Sequence, residues 1–369
     1  MTFPEIDMPP RILLGPGPSM VDPRVLRAMA TPLVGHLDPA FLKLMDDTKA
    51  LLRYVFGTEN NLTIPVSGTG SAAMEAAIAN MIEPGDPVLV CSNGYFGARL
   101  TDMAERYGAE VEVISRPWGE VFTADEVRAA LEKRRASVVA IVHAETSTGA
   151  LQPLEAIAEV VHSYDAILIV DTVTSLGGMP VSVDKVGIDV AYSGAQKCLS
   201  CSPGTSPITL NDRAVARLTG RKTKVQSWYL DLTMVQQYWG AERTYHHTAP
   251  ISSNYAFYEA LRVVHDETLE KRFQRHRENA QLLWDGLESL DLTMHVTPEY
   301  RLPSLTTVRV PDGVDELAIR KQLLNEYNIE ISGGLGALKG RAWRIGLMGY
   351  SSRRENVLLL ISALEKLMH

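Results

Sequence analysis

From about Asn61 to about Leu210 the chain alternates short apolar runs with helical patterns, and this rhythm constrains the fold more than any other feature. "LTIPVSG" is followed by "SAAMEAAIANMI", "PVLVCS" by "YFGARLTDMAERYG", "VEVISR" by "TADEVRAALEKR" and "SVVAIVHAET" by "LEAIAEVVHSY"; "AILIVDTV" and "IDVAYSG" come last. Strand, helix, strand in this order implies a mostly parallel sheet covered on both faces. Local signals agree: "EPGD" follows Ile82, "YGAE" follows the helix ending near Tyr107, and Thr123 with Glu126 three positions on forms a capping box. Beyond Ser252 the character changes. One long helical pattern is expected from about Asn254 to Leu290, long enough to bridge two domains. After it, "LTMHV", "SLTTVRV", "DELAIRKQLLNEYN", "IEISGG", "AWRIGLM" and a terminal helix predict a small α+β domain.

Composition excludes several classes. With 46% hydrophobic and 22% charged residues among 369, the chain can bury a core and is neither disordered nor fibrous. The net charge is −8 and the basic patches are only the short "EKRR" and "RKTK", which argues against nucleic acid as a partner. No apolar span reaches membrane length, so no membrane association is expected. Three cysteines, Cys91, Cys198 and Cys201, and the acidic, proline-bearing "MTFPEIDMPPR" predict a reduced cytoplasmic protein without a targeting segment. No internal repeat is visible, and no metal ligand is assigned.

Ligands bind an open parallel sheet at the carboxyl ends of its strands, so the polar residues there are the candidates. "VSGTGSAAMEAA" sets Ser67, Gly68, Thr69, Gly70 and Ser71 between strand and helix, where free N–H groups and the helix dipole can hold a phosphate; alone, these residues could equally be a cap. "ILIVDTV" ends in Asp171, a buried carboxylate that must be paired or hydrogen-bonded, whether for structure or for chemistry. "HAETSTG" adds Glu145, Thr146, Ser147 and Thr148. The fourth end, "AYSGAQKCLSC", presents Lys197 behind the small residues Ser193 and Gly194, and a desolvated lysine can act as a nucleophilic amine. Phosphate cradle, buried aspartate and lysine together meet the needs of pyridoxal phosphate, whose ring nitrogen requires a carboxylate and whose carbonyl requires an amine.

The same residues carry a resemblance that covers nearly the whole chain. "LLGPGPS", "SGTGSAAMEAA", "NGYFGAR", "STGALQPL", "VDTVTSLGG", "YSGAQKCL", "SPGTSPI", "TYHHTAP", "ISGGLG" and "WRIGLMG" fall in the order and spacing of class V aminotransferases, and the chain most resembles the alanine–glyoxylate and serine–pyruvate aminotransferases. The resemblance implies an α/β fold-type I structure with a mostly parallel seven-stranded sheet in the large domain. It further implies an arm over residues 1–20 that contacts a partner subunit, a large cofactor-binding domain over 21–265 and a small C-terminal α+β domain over 266–369. Lys197 would be the Schiff-base lysine and proton shuttle, and Asp171 the pyridinium partner. Thr69, Gly70, Ser71 and Gln196 would hold the phosphate. Phe96 would stack on the ring with Val173 on the opposite face, and Thr146 would bond the phenolic oxygen. Tyr245 and Thr248 would reach the phosphate of the other subunit, which implies a homodimer. Arg344, with Gly17 beside it, would bind the substrate carboxylate. Phe96, Ser71 and Thr146 stand where tryptophan, histidine and serine occur in animal members, each change preserving the role.

The activity implied is transamination from a small amino acid, alanine first and serine second, to glyoxylate, giving glycine. (S)-Ureidoglycine is an alternative donor, and "LVGHLDPAF" around Gly35 and His36 is expected to decide among donors. A cysteine desulfurase would share the fold, but its nucleophile resembles a mobile-loop cysteine nearer the C-terminus and no cysteine follows Cys201. Cys198 and Cys201 are therefore expected to be small buried packing residues. A non-catalytic binding protein of the same fold would have lost Lys197, Asp171 or Arg344, and all three are present. His246 and His247 are expected to serve as hydrogen-bonded packing.

Overall fold

The computed structural model describes Met1 and residues 3–368. Seven strands form the central sheet: β1 (Leu62–Gly68), β2 (Pro87–Ser92), β3 (Glu110–Ser115), β4 (Val138–Val142), β5 (Ile167–Asp171), β6 (Val190–Tyr192) and β7 (Gly204–Leu210), in the spatial order β1-β7-β6-β5-β4-β2-β3. Only β7 runs against its neighbours, pairing antiparallel with β1 and β6; every other pairing in the sheet is parallel. The expected mostly parallel sheet is the one observed.

Alternation along the strands explains why both faces are covered. In β4, Val138, Ala140 and Val142 enter one core with Ile167 and Ile169 of β5, while Val139 and Ile141 enter a second with Leu168 and Val170. Successive side chains of a strand point to opposite faces, so a run with every residue buried needs a helical layer on each side. Helix Gly70–Met81 packs on the first face and helix Ile251–Glu267 reaches the second. Fully burying one such aliphatic side chain contributes about 1.5–3 kcal/mol. Thr123 and Glu126 form the expected capping box on helix Ala124–Lys133.

The pattern over Asn254–Leu290 is two helices, Ile251–Glu267 and Leu269–Ser289, not one. Thr268 between them has φ +65°, which a right-handed helix cannot contain. No Gly or Pro marks the break, so periodicity could not reveal it. Burial opposes ionisation of Glu267, yet hydrogen bonds from Arg275 and the charge of Arg272 prevail and hold its carboxyl down at about 2. Arg272, itself buried, donates to the carbonyls of Gly177 and Cys198, so this break is tied to the turn that follows Lys197.

A separate core gathers Leu283, Leu287, Val308, Ile319, Leu323, Trp343, Ile345 and Leu360 around a three-stranded sheet in the order Leu305–Arg309, Ala342–Gly346, Ser332–Gly333. "LTMHV" adds only the isolated bridge of Met294 with Val308. Leu14 is buried in this core, and strand Ile12–Leu13 pairs with Ile329–Glu330, so part of the N-terminal stretch packs on its own chain. Period-two alternation in "AWRIG" sends Trp343 and Ile345 into that core and turns Arg344 to the other side, towards the large sheet. Among the described residues no helix is long and apolar enough to cross a membrane.

Candidate active site

Asp171 ends β5 and Tyr192 ends β6, and the two are cross-strand partners in the parallel ladder. The Asp171 carboxylate accepts from Val173 N at 2.8 Å and from the Tyr192 hydroxyl at 2.9 Å. Burial pushes its pKa up to about 6, against the pull of those two bonds. A buried carboxylate with two fixed donors and a raised pKa is suited to hold a cationic ring nitrogen. Tyr192 was missed by sequence reasoning because its apolar run reads as core, and only the strand register brings its hydroxyl to Asp171.

Lys197 lies in the loop between β6 and β7, and its amine donates to the Pro16 carbonyl. Burial, followed by the nearby Arg344 charge, brings the amine down to about 8. A larger share of it is therefore neutral near pH 7 than of a solvated lysine. The N-terminal stretch passes over it. Gly17 has φ +117°, and a Cβ there would lie 2.7 Å from Lys197 Nζ, so both conformation and space require glycine. The Ser19 hydroxyl donates to the Lys197 carbonyl at 2.9 Å, and Ser19 N donates to the Gln196 carbonyl at 2.8 Å.

Thr69 precedes helix Gly70–Met81 without a side-chain cap, leaving the first N–H groups without a side-chain acceptor. A Cβ on Gly70 would stand 3.5 Å from Gly194 Cα and 3.7 Å from Val173, so backbone and loop converge there. Gln196 Oε1 is buried with no hydrogen-bond partner among the described residues. An orphaned amide beside a helix start that no side chain caps fits a phosphate, which could accept from the same side chain with its amide turned.

Glu145, the first residue of "ETSTG", has a structural task. Its carboxylate accepts from Phe96 N at 3.1 Å, Gly97 N at 3.3 Å and Ser147 Oγ at 2.6 Å, thereby capping helix Tyr95–Arg106 and fixing Phe96. Arg344 is buried; its Nε donates to the Gly333 carbonyl at 2.9 Å and Nη1 to the Thr146 carbonyl at 3.2 Å. The Thr146 hydroxyl itself has no protein partner among the described residues. No carboxylate pairs with Arg344 among those residues, and burial brings its pKa down to about 10. A buried, unpaired guanidinium is chemically suited to receive a small carboxylate.

Tyr245 and Thr248 are not enclosed with these groups but stand exposed, Tyr245 at 57%, on one loop. His36 packs its ring against Tyr245 at 5.2 Å, so the stretch expected to choose the donor belongs with this loop. His247 shares hydrogen bonds with Ser67 at 2.7 Å and His246 at 2.8 Å, and His246 stacks on Trp228 at 4.4 Å, as packing histidines do. All three cysteines are buried and free. Burial pushes the thiols of Cys198 and Cys201 up to about 11 and about 12, so neither is a ready thiolate. This is the packing role expected of both.

A parallel sheet with lysine, aspartate and an N–H cradle at its strand ends is the arrangement of a fold-type I pyridoxal-phosphate enzyme. The aminotransferase class-V profile matches residues 12–357, and the chain belongs to that family of pyridoxal-phosphate-dependent aminotransferases. It is 57% identical to a solved alanine–glyoxylate aminotransferase from Nostoc, with a TM-score of 0.99 over 100% of this chain and 98% of that one. It is 44% identical to alanine–glyoxylate aminotransferase of Rattus norvegicus over 99% of this chain and 89% of the relative. It is 41% identical to (S)-ureidoglycine–glyoxylate transaminase of Bacillus subtilis over 98% and 91%.

Proposed function

We propose that the protein transfers an amino group from a small amino acid, alanine first and serine second, to glyoxylate, yielding a 2-oxo acid and glycine. The observation that carries this reading is Arg344, a buried guanidinium with no carboxylate of its own, which suits the carboxylate common to every amino and oxo acid substrate. Glyoxylate as acceptor is supported by the names of the Nostoc, rat and Bacillus proteins.

When bound, pyridoxal phosphate supplies an electron sink and carries the amino group between the two half-reactions. The rest falls to the residues. Lys197, partly neutral near pH 7, is the amine that holds the cofactor and then moves the proton at the substrate Cα. Asp171, oriented by Val173 N and Tyr192, keeps the ring nitrogen protonated. Thr69, Gly70, Ser71 and Gln196 take the phosphate, Phe96 and Val173 sandwich the ring, and the Thr146 hydroxyl serves the phenolic oxygen. Arg344 with Gly17 beside it receives the substrate carboxylate. Tyr245 and Thr248 serve the site of a second subunit in a homodimer, which their exposure in the single chain favours; of residues 1–20, the exposed stretch 3–10 is left to act as an arm on that subunit, since Ile12 to Ser19 packs on its own chain. His36 then shapes donor choice where Tyr245 points.

Two half-reactions sharing one site give ping-pong kinetics. With glyoxylate as acceptor, a donor panel is expected to give the highest kcat/KM for alanine and the next for serine. A higher value for (S)-ureidoglycine, which the Bacillus relative makes the leading alternative, would replace alanine as donor. Sulfide release from cysteine that depends on Cys198 or Cys201 would move the protein to the desulfurases.

The Tyr192 bond allows a narrower check. Removing it takes away one of the two hydrogen bonds that lower the Asp171 pKa, so Tyr192→Phe raises that pKa further above 6. Because only the ionised carboxylate holds the pyridinium, cofactor affinity of the apo protein rises with pH through this value. In Tyr192→Phe that rise is expected to move to higher pH, read by cofactor titration between about pH 5 and 8.

A further inference from the structure

We propose that Arg99 anchors the phosphate of the cofactor, by supplying its counter-charge and by orienting the Ser71 hydroxyl towards it. The inference rests on the phosphate lying at Thr69–Ser71.

The phosphate group of the cofactor is an anion, close to a dianion at neutral pH, yet Thr69, Gly70, Ser71 and Gln196 carry no formal charge. Arg99 stands at the edge of this cradle. It lies three residues beyond Phe96 on helix Tyr95–Arg106, the spacing that puts two side chains on one face. Its guanidinium carbon sits 4.8 Å from the centre of the Phe96 ring and 5.3 Å from that of Tyr95. From there Nη1 donates to Ser71 Oγ at 3.3 Å. The aromatic faces restrain a long side chain that would otherwise lose its direction to solvent.

Two features set Arg99 apart from a solvated arginine. First, no carboxylate pairs with it among the described residues, whereas Arg106 on the same helix pairs with Asp102 at 2.9 Å. Its charge is uncompensated beside a cradle built for an anion. Second, a hydroxyl that accepts from a guanidinium turns its own hydrogen away from it. Ser71 then has one O–H to donate, next to a helix start that no side chain caps. A cation at that position also explains why Arg99 is among the charges that disfavour the Lys197 ammonium.

The test compares pyridoxal 5′-phosphate with pyridoxal, which lacks the phosphate, as ligands of the full-length apo protein, following the visible absorbance of the lysine-bound form. Arg99→Gln is expected to weaken pyridoxal phosphate about tenfold, the size of one charge-assisted contact, and to leave pyridoxal unchanged. Arg99→Lys is expected to fall between wild type and Arg99→Gln, keeping the charge but losing the fork. Adding Ser71→Ala to Arg99→Gln should cost less than the two separate losses combined, because one contact acts through the other. The proposal is overturned if Arg99→Gln binds both ligands as wild type does, or weakens both equally, since that would be an effect on Phe96 and the ring. It is equally overturned if only the KM for glyoxylate rises. If Ser71→Ala and Gln196→Ala also bind pyridoxal phosphate as wild type does, the placement of the phosphate fails with it; if they weaken it while Arg99→Gln does not, Arg99 alone is wrong.

Discussion

Lys197→Ala is expected to lower turnover by roughly 10⁴-fold, the upper end of what one positioned proton-transfer group contributes. Two functions leave with the amine: the covalent hold on the cofactor and the movement of the Cα proton. The visible absorbance of the lysine-bound cofactor should vanish in the same variant, while pyridoxal phosphate should still bind through its phosphate. Fold should be unaffected, because Lys197 Nζ has one protein acceptor, the Pro16 carbonyl, and lies in no hydrophobic core. Single-turnover assays with added methylamine distinguish a lost proton shuttle from a collapsed site: a free amine restores part of the rate only if the cavity is intact. Full activity in Lys197→Ala would sink the assignment.

Arg344→Gln is expected to raise KM for amino acid and for glyoxylate together by about 10²-fold, corresponding to the loss of a charge-assisted pair worth on the order of 3 kcal/mol. Arg344→Lys should recover little of this, since a single ammonium cannot present the planar fork that grips both carboxylate oxygens. Part of the Gln effect will be steric, because Nε and Nη1 already hold the Gly333 and Thr146 carbonyls and glutamine can replace only one such bond. An amine donor without a carboxylate separates the two causes. Its reaction should be insensitive to Arg344→Gln if the residue binds carboxylate, and should suffer equally if the residue only holds the strand in place.

Much of the fold was legible because the signals that specify it are local. Each of the six apolar runs between "LTIPVSG" and "IDVAYSG" coincides with one of the strands β1 to β6 to within a residue or contains it, and the capping box at Thr123 occurs where its spacing put it. The break at Thr268 was not legible, since a residue with φ +65° carries no sequence mark when it is neither Gly nor Asn. Nor was the task of Glu145, whose four hydrogen-bond donors lie on a helix about fifty residues earlier and on its own turn.

The site divides in the same way. Lys197, Asp171 and the Thr69–Ser71 loop could be singled out as candidates from sequence because a polar residue at the end of an apolar strand is conspicuous, and hydrophobic periodicity shows where strands end. Which of these polar groups touch was decided only by strand order and register. That is how Tyr192 comes to orient Asp171, how Gly17 closes over Lys197 from 180 positions away, and how Arg344 turns from its own small core to Thr146. The chain alone therefore determined most of the elements and the cofactor class and singled out the candidate reactive residues, since these depend on local pattern and side-chain chemistry. Tertiary structure decided the burial and partners that bring Lys197 down to about 8 and raise Asp171 to about 6, because desolvation and charge proximity exist only once distant segments have packed together.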